Sequence, residues 1–211
     1  MKPRNSLLMA GTIAAGIEAT AKADSQTVDT LMLQLKSADE SISGAAWQNA
    51  GPCGAKAVPG LGALIAEEDS EAARNAKRAL MNVVRHAGRP GAERETKAVQ
   101  KELVQLLKSK QAAVRKEAVW RLSEIGDAKA VTGMAALLND KEAREDARCA
   151  ILRMPREAAL NAFRRAFKTA PDDFKYALAD SLRALGEQIE GWPSPKLKPT
   201  RKTTIEAIKP A

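Results

Sequence analysis

Aromatic side chains are scarce in this chain: only 3% of its 211 residues are Phe, Trp or Tyr, although 45% are hydrophobic. Alanine and leucine must therefore fill most of the core. Both are strong helix formers, and no run of alternating β-branched residues is long enough to predict a strand. The sequence therefore predicts an all-α protein.

Histidine and cysteine are also nearly absent. His86 is the single histidine, whereas a metal centre or a nucleophile activated by histidine needs further ligands or a nucleophile beside it. At a predicted helix end, His86 is better explained as a favourable charge near the helix C-terminus. Cys53 and Cys149 lie in separate predicted repeats, beyond the roughly 7 Å between Cα atoms that a disulfide allows. We expect no catalytic site, metal, cofactor or disulfide framework.

The net charge of +8 is carried mainly by the two ends of the chain. Residues 24–191 hold 26 Lys+Arg against 24 Asp+Glu, whereas residues 192–211 hold five basic residues and one acidic residue. The predicted second helices of the repeats mix both signs of charge, so they form no continuous positive stripe of the kind that follows phosphates. This distribution disfavours a nucleic-acid partner.

The first 23 residues resemble a secretory signal peptide. Lys2 and Arg4 precede an apolar stretch from Leu7 to Ile17, and small residues follow it. The stretch is too short to span a bilayer comfortably, so we expect no stable membrane span. Export to the periplasm or out of the cell is predicted. The alternative is an amphipathic helix that caps the repeats and is retained, which would leave the protein in the cytoplasm.

An internal repeat organises the remaining chain. The segment AKAVPGLGALI at 55–65 returns 73 residues later as AKAVTGMAALL at 128–138. A second offset, of 29 residues, relates 114–125 to 143–154. The two offsets are reconciled by an insertion between Ala87 and Thr96, where Gly and Pro exclude a continuous helix. Five antiparallel helix pairs are predicted, at 28–51, 55–86, 96–125, 128–154 and 156–186.

Three motifs in these pairs are similar to HEAT repeats: GPxGAKAVP at 51–59, VRxxA at 114–118 and IGDxxAV at 125–131. The resemblance is strongest to a short subtype found in phycobilisome lyases and many bacterial proteins. It implies a right-handed α-solenoid over residues 24–187 that acts as a non-catalytic protein-interaction scaffold.

The resemblance also implies a ladder of hydrogen bonds between successive pairs. Its members would be a turn Asp and an Arg early in the second helix, here Asp140 with Arg144 and Asp69 with Arg74.

Second helices line the concave face of HEAT arrays, which directs attention to Trp47 and Trp120 at equivalent positions. Each is either an aromatic anchor for a partner or a packing residue between repeats. We expect a monomer with a protein partner. The candidate partner-binding residues are Trp47, Arg78, Arg121 and Arg148.

The C-terminal residues 188–211 are predicted to form an extended or disordered, basic, Pro-rich tail. The first helix of the last pair is basic as well, and with the tail it is either solvated or binds an acidic partner, an anionic polymer or a membrane surface. Its cations are Arg156, Arg164, Arg165 and Lys168.

Two alternative functions remain open at this point. The resemblance to phycobilisome lyases suggests that the chain is a bilin lyase-like or chaperone-like protein, which would need a large apolar pocket. The existence of HEAT-like DNA glycosylases suggests a nucleic-acid-binding protein, whose affinity for nucleic acid would fall steeply as the salt concentration rises.

Overall fold

The computed structural model describes residues 27–68 and 70–194, and within these residues the regular structure is entirely helical. This described part holds ten α-helices and two short 3₁₀ segments. The all-α prediction is confirmed. The chain divides into two compact units, one ending at Gly126 and the other beginning at Asp127.

Three features predicted from the sequence lie outside the described residues. These are the signal peptide predicted at 1–23, the turn residue Asp69 and the tail from residue 195 onward. Those interpretations stay predictions.

The first unit is a stack of three helix pairs. Its helices are α1 (Val28–Leu35) and α2 (Glu40–Gln48), α3 (Val58–Ile65) and α4 (Glu71–Ala87), and α5 (Glu93–Leu106) and α6 (Ala112–Ile125). The first helices pack on one another, because α3 contacts both α1 and α5, and the second helices do the same through α4, which contacts α2 and α6. This stacking of like on like is the arrangement expected of helical repeats.

The second unit contains two further pairs built in the same way. Its helices are α7 (Ala128–Ala135), α8 (Arg144–Leu152), α9 (Arg156–Thr169) and α10 (Asp172–Ala184). The first helices α7 and α9 pack together, and the second helices α8 and α10 contact each other. The five pairs thus begin and end close to the boundaries that the two sequence offsets predict.

Small aliphatic side chains fill the interior, as the composition requires. Ala76, Ala79 and Ala118 are inaccessible to solvent beside leucines such as Leu80 and Leu122. Alanine on facing helices lets their axes approach closely, and close packing gives each buried leucine many dispersion contacts. Aromatic residues enter this interior mainly in the second unit, where Phe163 and Phe174 are fully buried.

The helices in the two copies of the 11-residue repeat, at 55–65 and 128–138, begin differently. Asp127 caps α7, since its Oδ1 accepts hydrogen bonds from the backbone N–H groups of Lys129 and Ala130 at 2.9 and 3.1 Å. The equivalent position in the first copy is Gly54, which has no side chain to cap a helix and takes a φ of 56°. The chain there forms a 3₁₀ segment, Gly51–Ala57, before α3 begins. One residue difference therefore shifts the helix start.

The predicted insertion between Ala87 and Thr96 is wrong in its extent. The connection is only residues 88–92, because α5 already begins at Glu93. Gly91 takes a φ of 80° there, which permits a tight reversal. Part of the additional length lies in α4 instead, which has 17 residues against 9 in α8.

The predicted tail begins with an ordered segment at 188–194. Trp192 meets the edges of Phe167 and Tyr176, with ring centroids 6.0 and 5.0 Å apart. Arg183 donates hydrogen bonds to two backbone carbonyls of the segment. Of the two alternatives predicted for the tail, these seven residues take the extended one, because an aromatic anchor and an arginine hold them on the second unit.

An arginine joins successive pairs in the second unit, as the ladder hypothesis expects, but through a different carboxylate. Arg144 donates to Asp173 of the following pair at 2.6 Å, and its guanidinium lies 4.8 Å from the ring centre of Phe174. Asp140 instead accepts from the backbone N–H of Glu142 at 2.9 Å. The link between the two helix pairs is thus formed by Asp173, in the first turn of α10.

Replacing Arg144 by Met should reduce the acid sensitivity of the protein. The Arg144 hydrogen bond holds the pKa of Asp173 below its ordinary value. Ionised Asp173 therefore stabilises the fold above the pKa it has in the unfolded chain, and that stabilisation is lost as pH falls through the lowered pKa. Thermal melts from neutral to strongly acidic pH measure this loss. The exposed Arg153 provides a control, and an Arg144→Met variant as acid-sensitive as Arg153→Met would contradict the assignment.

Candidate functional site

An open groove separates two second helices of the first unit, and we call it the α2/α4 groove. Its volume is about 710 Å³. Its defining residues are Glu40, Gly44 and Trp47 of α2, and Glu71, Asn75 and Arg78 of α4. Two of the four candidate partner-binding residues, Trp47 and Arg78, therefore share one site.

Trp47 and Arg78 form a cation–π pair inside the α2/α4 groove. The guanidinium carbon lies 5.8 Å from the ring centre, and Nη1 donates to Asn75 Oδ1 at 3.0 Å. Asn75 is itself buried and donates to the carbonyl of Leu35 at 3.5 Å. A buried amide thus fixes the cation over the indole, while half of the Arg78 side chain stays open to solvent.

The backbone of α2 is fixed to α4 beside this pair. Asn82 of α4 donates from Nδ2 to the carbonyl oxygen of Trp47 at 2.8 Å. This bond positions the indole by holding the main chain, without using the ring. One turn earlier, Gly44 leaves the groove open, since a Cβ built there would meet no atom within 4 Å.

The other two candidate arginines pair with carboxylates of their own helices, and Arg148 also donates to Ser181 Oγ of α10 at 3.0 Å. Arg121 on α6 pairs with Glu117 at 2.7 Å and also with Glu124, and only 17% of its side chain is exposed. Arg148 on α8 pairs with Glu145 at 2.9 Å and is 19% exposed. The structure therefore does not bring Arg121 or Arg148 into the α2/α4 groove. Their part in partner binding stays a prediction.

Arg78 differs from these two arginines in the strength of its ion pair. Its contact with Glu71 is 3.5 Å long, and Glu71 is held more closely by Arg74, at 2.7 Å. Arg78 is also 49% exposed. A carboxylate from outside the chain can thus replace Glu71 at little cost, because an exposed ion pair of this length contributes little.

Pairing of arginines with carboxylates recurs along the second helices. Arg74 pairs with Glu71 in α4, and Arg183 pairs with Asp180 at 2.9 Å in α10. These pairs are three residues apart, so both charges lie on one side of each helix. The expected mixture of signs on the second helices is therefore seen in the contacts themselves.

Sequence reasoning missed two residues of the site, Gly44 and Asn75. A glycine inside an amphipathic helix costs stability, so its presence signals a place where a side chain is unwanted. An asparagine on the buried side of a helix, next to Ala76 and one turn before Ala79, signals a fixed hydrogen bond. Both signals are visible in the sequence, but neither reveals that the two residues line one groove between α2 and α4.

The residues considered for catalysis are not assembled into a reactive group in the described part of the chain. His86 Nε2 lies 3.8 Å from Glu95, whose carboxylate is already bound by Arg89 at 2.8 Å. The Cys53 thiol has a pKa raised by burial, which disfavours the nucleophilic thiolate. No cluster of three or more His, Cys, Asp or Glu residues is placed to hold a metal ion within the described ranges.

No helix in the described part of the chain is both long and apolar enough to cross a membrane.

Comparisons with known proteins identify the repeat type. A family described as HEAT repeats matches residues 81–154, which include two of the motifs noted above. No curated protein matches the chain.

Two similar solved structures are crystal structures of engineered proteins from the Northeast Structural Genomics Consortium. The first is 22% identical with a TM-score of 0.38, and the match covers 75% of this chain and 78% of that chain. The second is 21% identical with a TM-score of 0.37, covering 76% of this chain and 48% of the engineered one. This chain thus spans about half the length of the second.

Proposed function

Because this chain is a HEAT-repeat protein, we propose that it is a non-catalytic scaffold that binds a segment of a partner protein in the α2/α4 groove. The observation that carries the proposal is the Trp47–Arg78 pair, held open to solvent in a groove of about 710 Å³. Tryptophan and arginine are the residue types most often responsible for binding energy at protein interfaces.

The lining of the groove indicates what kind of segment it binds. An apolar side chain of the partner packs against Trp47, and a neighbouring carboxylate takes the place of Glu71 on Arg78. The rim also offers Glu40, which is exposed. We therefore propose a partner segment with an apolar anchor next to an acidic residue.

The lyase-like alternative finds no support in this groove. A tetrapyrrole needs a large, predominantly apolar cavity, whereas seven of the twelve residues that line the groove have charged, amide or hydroxyl side chains. The nucleic-acid alternative is disfavoured on the second helices, since Arg121, Arg148 and Arg183 are each paired with a carboxylate of the same helix.

Site-specific photocrosslinking tests the proposed site. A photoreactive benzoylphenylalanine replaces Glu40 at the rim of the α2/α4 groove, and in a control it replaces Lys101, which is exposed on α5. Illumination of intact cells should link a protein to position 40 and leave it unlinked at position 101. The same set of adducts from both positions, or none from position 40, would argue that the groove does not bind a protein.

Export is a separate part of the proposal and depends on the N-terminal sequence alone. Residues 1–30 fused to alkaline phosphatase, an enzyme that is active only after export, should give active enzyme in bacterial cells. Replacing Lys2 and Arg4 by Glu should lower that activity, because a signal peptide needs its basic N-terminal region. An inactive fusion would instead favour a retained segment and a cytoplasmic scaffold.

A further inference from the structure

A second groove lies between the first helices of the second unit, and we call it the α7/α9 groove. Its volume is about 460 Å³. Val131 and Thr132 of α7 form one side, and Asn161, Arg164, Arg165 and Lys168 of α9 form the other. No acidic residue lines it. It is therefore a basic channel, unlike the α2/α4 groove.

The cations of this groove differ in whether they are paired with a carboxylate. Arg164 pairs with Glu187, in the segment that follows α10. Arg165 and Lys168 are exposed, and neither has an ion pair or hydrogen bond with another described residue. Arg148 and Arg183 on the second helices differ from them, since each has a carboxylate partner. Two uncompensated cations thus lie side by side along one groove.

We propose that the α7/α9 groove binds an acidic, extended peptide segment of a partner protein. Arg165 and Lys168 supply charge-assisted hydrogen bonds to its carboxylates. Asn161 and Thr132 are exposed beside them and can both donate to and accept from a peptide backbone. The lining from residue 158 to residue 168 follows α9 for about 15 Å. That length accommodates about five residues of an extended chain.

The lining favours a peptide over other anions. Single-stranded nucleic acid binds on aromatic side chains that stack with its bases, and no aromatic residue lines this groove. A membrane-binding face presents large apolar side chains beside its cations. The exposed large hydrophobic residues of the described chain, Leu33, Ile42 and Tyr176, all lie outside the groove.

The chain's own C-terminus is unsuited to fill the groove. Residues 192–211 contain five Lys+Arg and a single acidic residue, Glu206. The tail thus has the same sign of charge as Arg165 and Lys168, and like charges repel. Charge complementarity therefore points to a segment from another protein.

Fluorescence anisotropy with a fluorescein-labelled octaglutamate peptide tests this inference on the full chain. Replacing both Arg165 and Lys168 by Gln should weaken binding about tenfold or more, because two charge-assisted hydrogen bonds are lost. The matched control replaces Lys97 and Lys101 by Gln, two exposed lysines on α5. It carries the same change in net charge and should weaken binding less than about twofold.

The location and the class of ligand are tested in parallel. Bound octaglutamate should slow amide hydrogen exchange in α7 and α9, and the Arg165→Gln/Lys168→Gln variant should lose this protection. Equal weakening in the two double variants, or unchanged exchange in α7 and α9, would overturn the proposal. Tighter binding of an oligothymidylate, or of phosphatidylserine vesicles, than of octaglutamate would also overturn it.

Discussion

Replacing Phe163 by Ala should destabilise the second unit by about 3–5 kcal/mol, the range observed when a large buried aromatic side chain is truncated. Phe163 is completely buried in α9, in a unit whose described residues form four α-helices. The side chains around it are held by neighbouring helices, so they close only part of the resulting cavity. A loss of this size is a large fraction of the stability of a small domain.

Phe167 is the matched control for this change, because it lies one helical turn further along α9 and is only half-buried. Its ring meets the edge of Trp192 in the segment at 188–194. Phe167→Ala should therefore cost clearly less than Phe163→Ala. Urea titrations, monitored by hydrogen exchange of α9, measure the loss of unfolding free energy in both variants. Equal losses would mean that the burial assigned to Phe163 is wrong.

Replacing Trp47 by Ala should weaken the binding of the photocrosslinked partner by about 30-fold or more, which corresponds to at least about 2 kcal/mol and is typical of a central interface tryptophan. The expected loss has two causes. The apolar face of the indole disappears, and Arg78 loses the ring over which it is held. The hydrogen bond from Asn82 uses the backbone of residue 47 and is retained. Isothermal titration calorimetry of the purified pair measures the change.

Trp120 provides the control for Trp47. It occupies the equivalent place on a second helix, α6, and is also half-buried. Trp120→Ala removes the same side chain outside the α2/α4 groove, so it should change the dissociation constant less than about threefold. Comparable losses in both variants would show that the tryptophans act through packing of the unit, which is the alternative that the sequence leaves open.

The fold is largely predictable from the sequence because its signals are local. Val114, Ala118, Leu122 and Ile125 recur at helical spacing, and all lie in α6, with Ile125 at its last position. Asp127 likewise marks the start of α7. Where the prediction fails, between Ala87 and Thr96, glycine and proline indicate a break correctly. They carry no information about the length of the helices on either side.

The candidate site is less predictable because it depends on contacts between distant residues. The ion pairs of Arg121 with Glu117 and Glu124 follow from their spacing on one helix, so the reduced availability of Arg121 was foreseeable. In contrast, the position of Arg78 over Trp47 depends on how α4 packs against α2. The ordering of Trp192 on α9 and α10 has the same origin. Helical periodicity shows which residues share one face of a helix, but it does not determine which other helix packs against that face.

Gly44 allows the most direct test of the claim that the α2/α4 groove binds the partner. Its Cβ position is open, so Gly44→Trp fills the groove, while Gly44→Ala leaves it nearly unchanged. Both replacements favour the helical backbone over glycine, so neither should lower the melting temperature.

The decisive measurement is therefore the dissociation constant of the crosslinked partner for the Gly44→Ala and Gly44→Trp variants. If the partner binds in the α2/α4 groove, the Ala variant keeps wild-type affinity and the Trp variant loses at least about 30-fold, with both fully folded. Wild-type affinity in a folded Gly44→Trp variant would contradict binding in this groove.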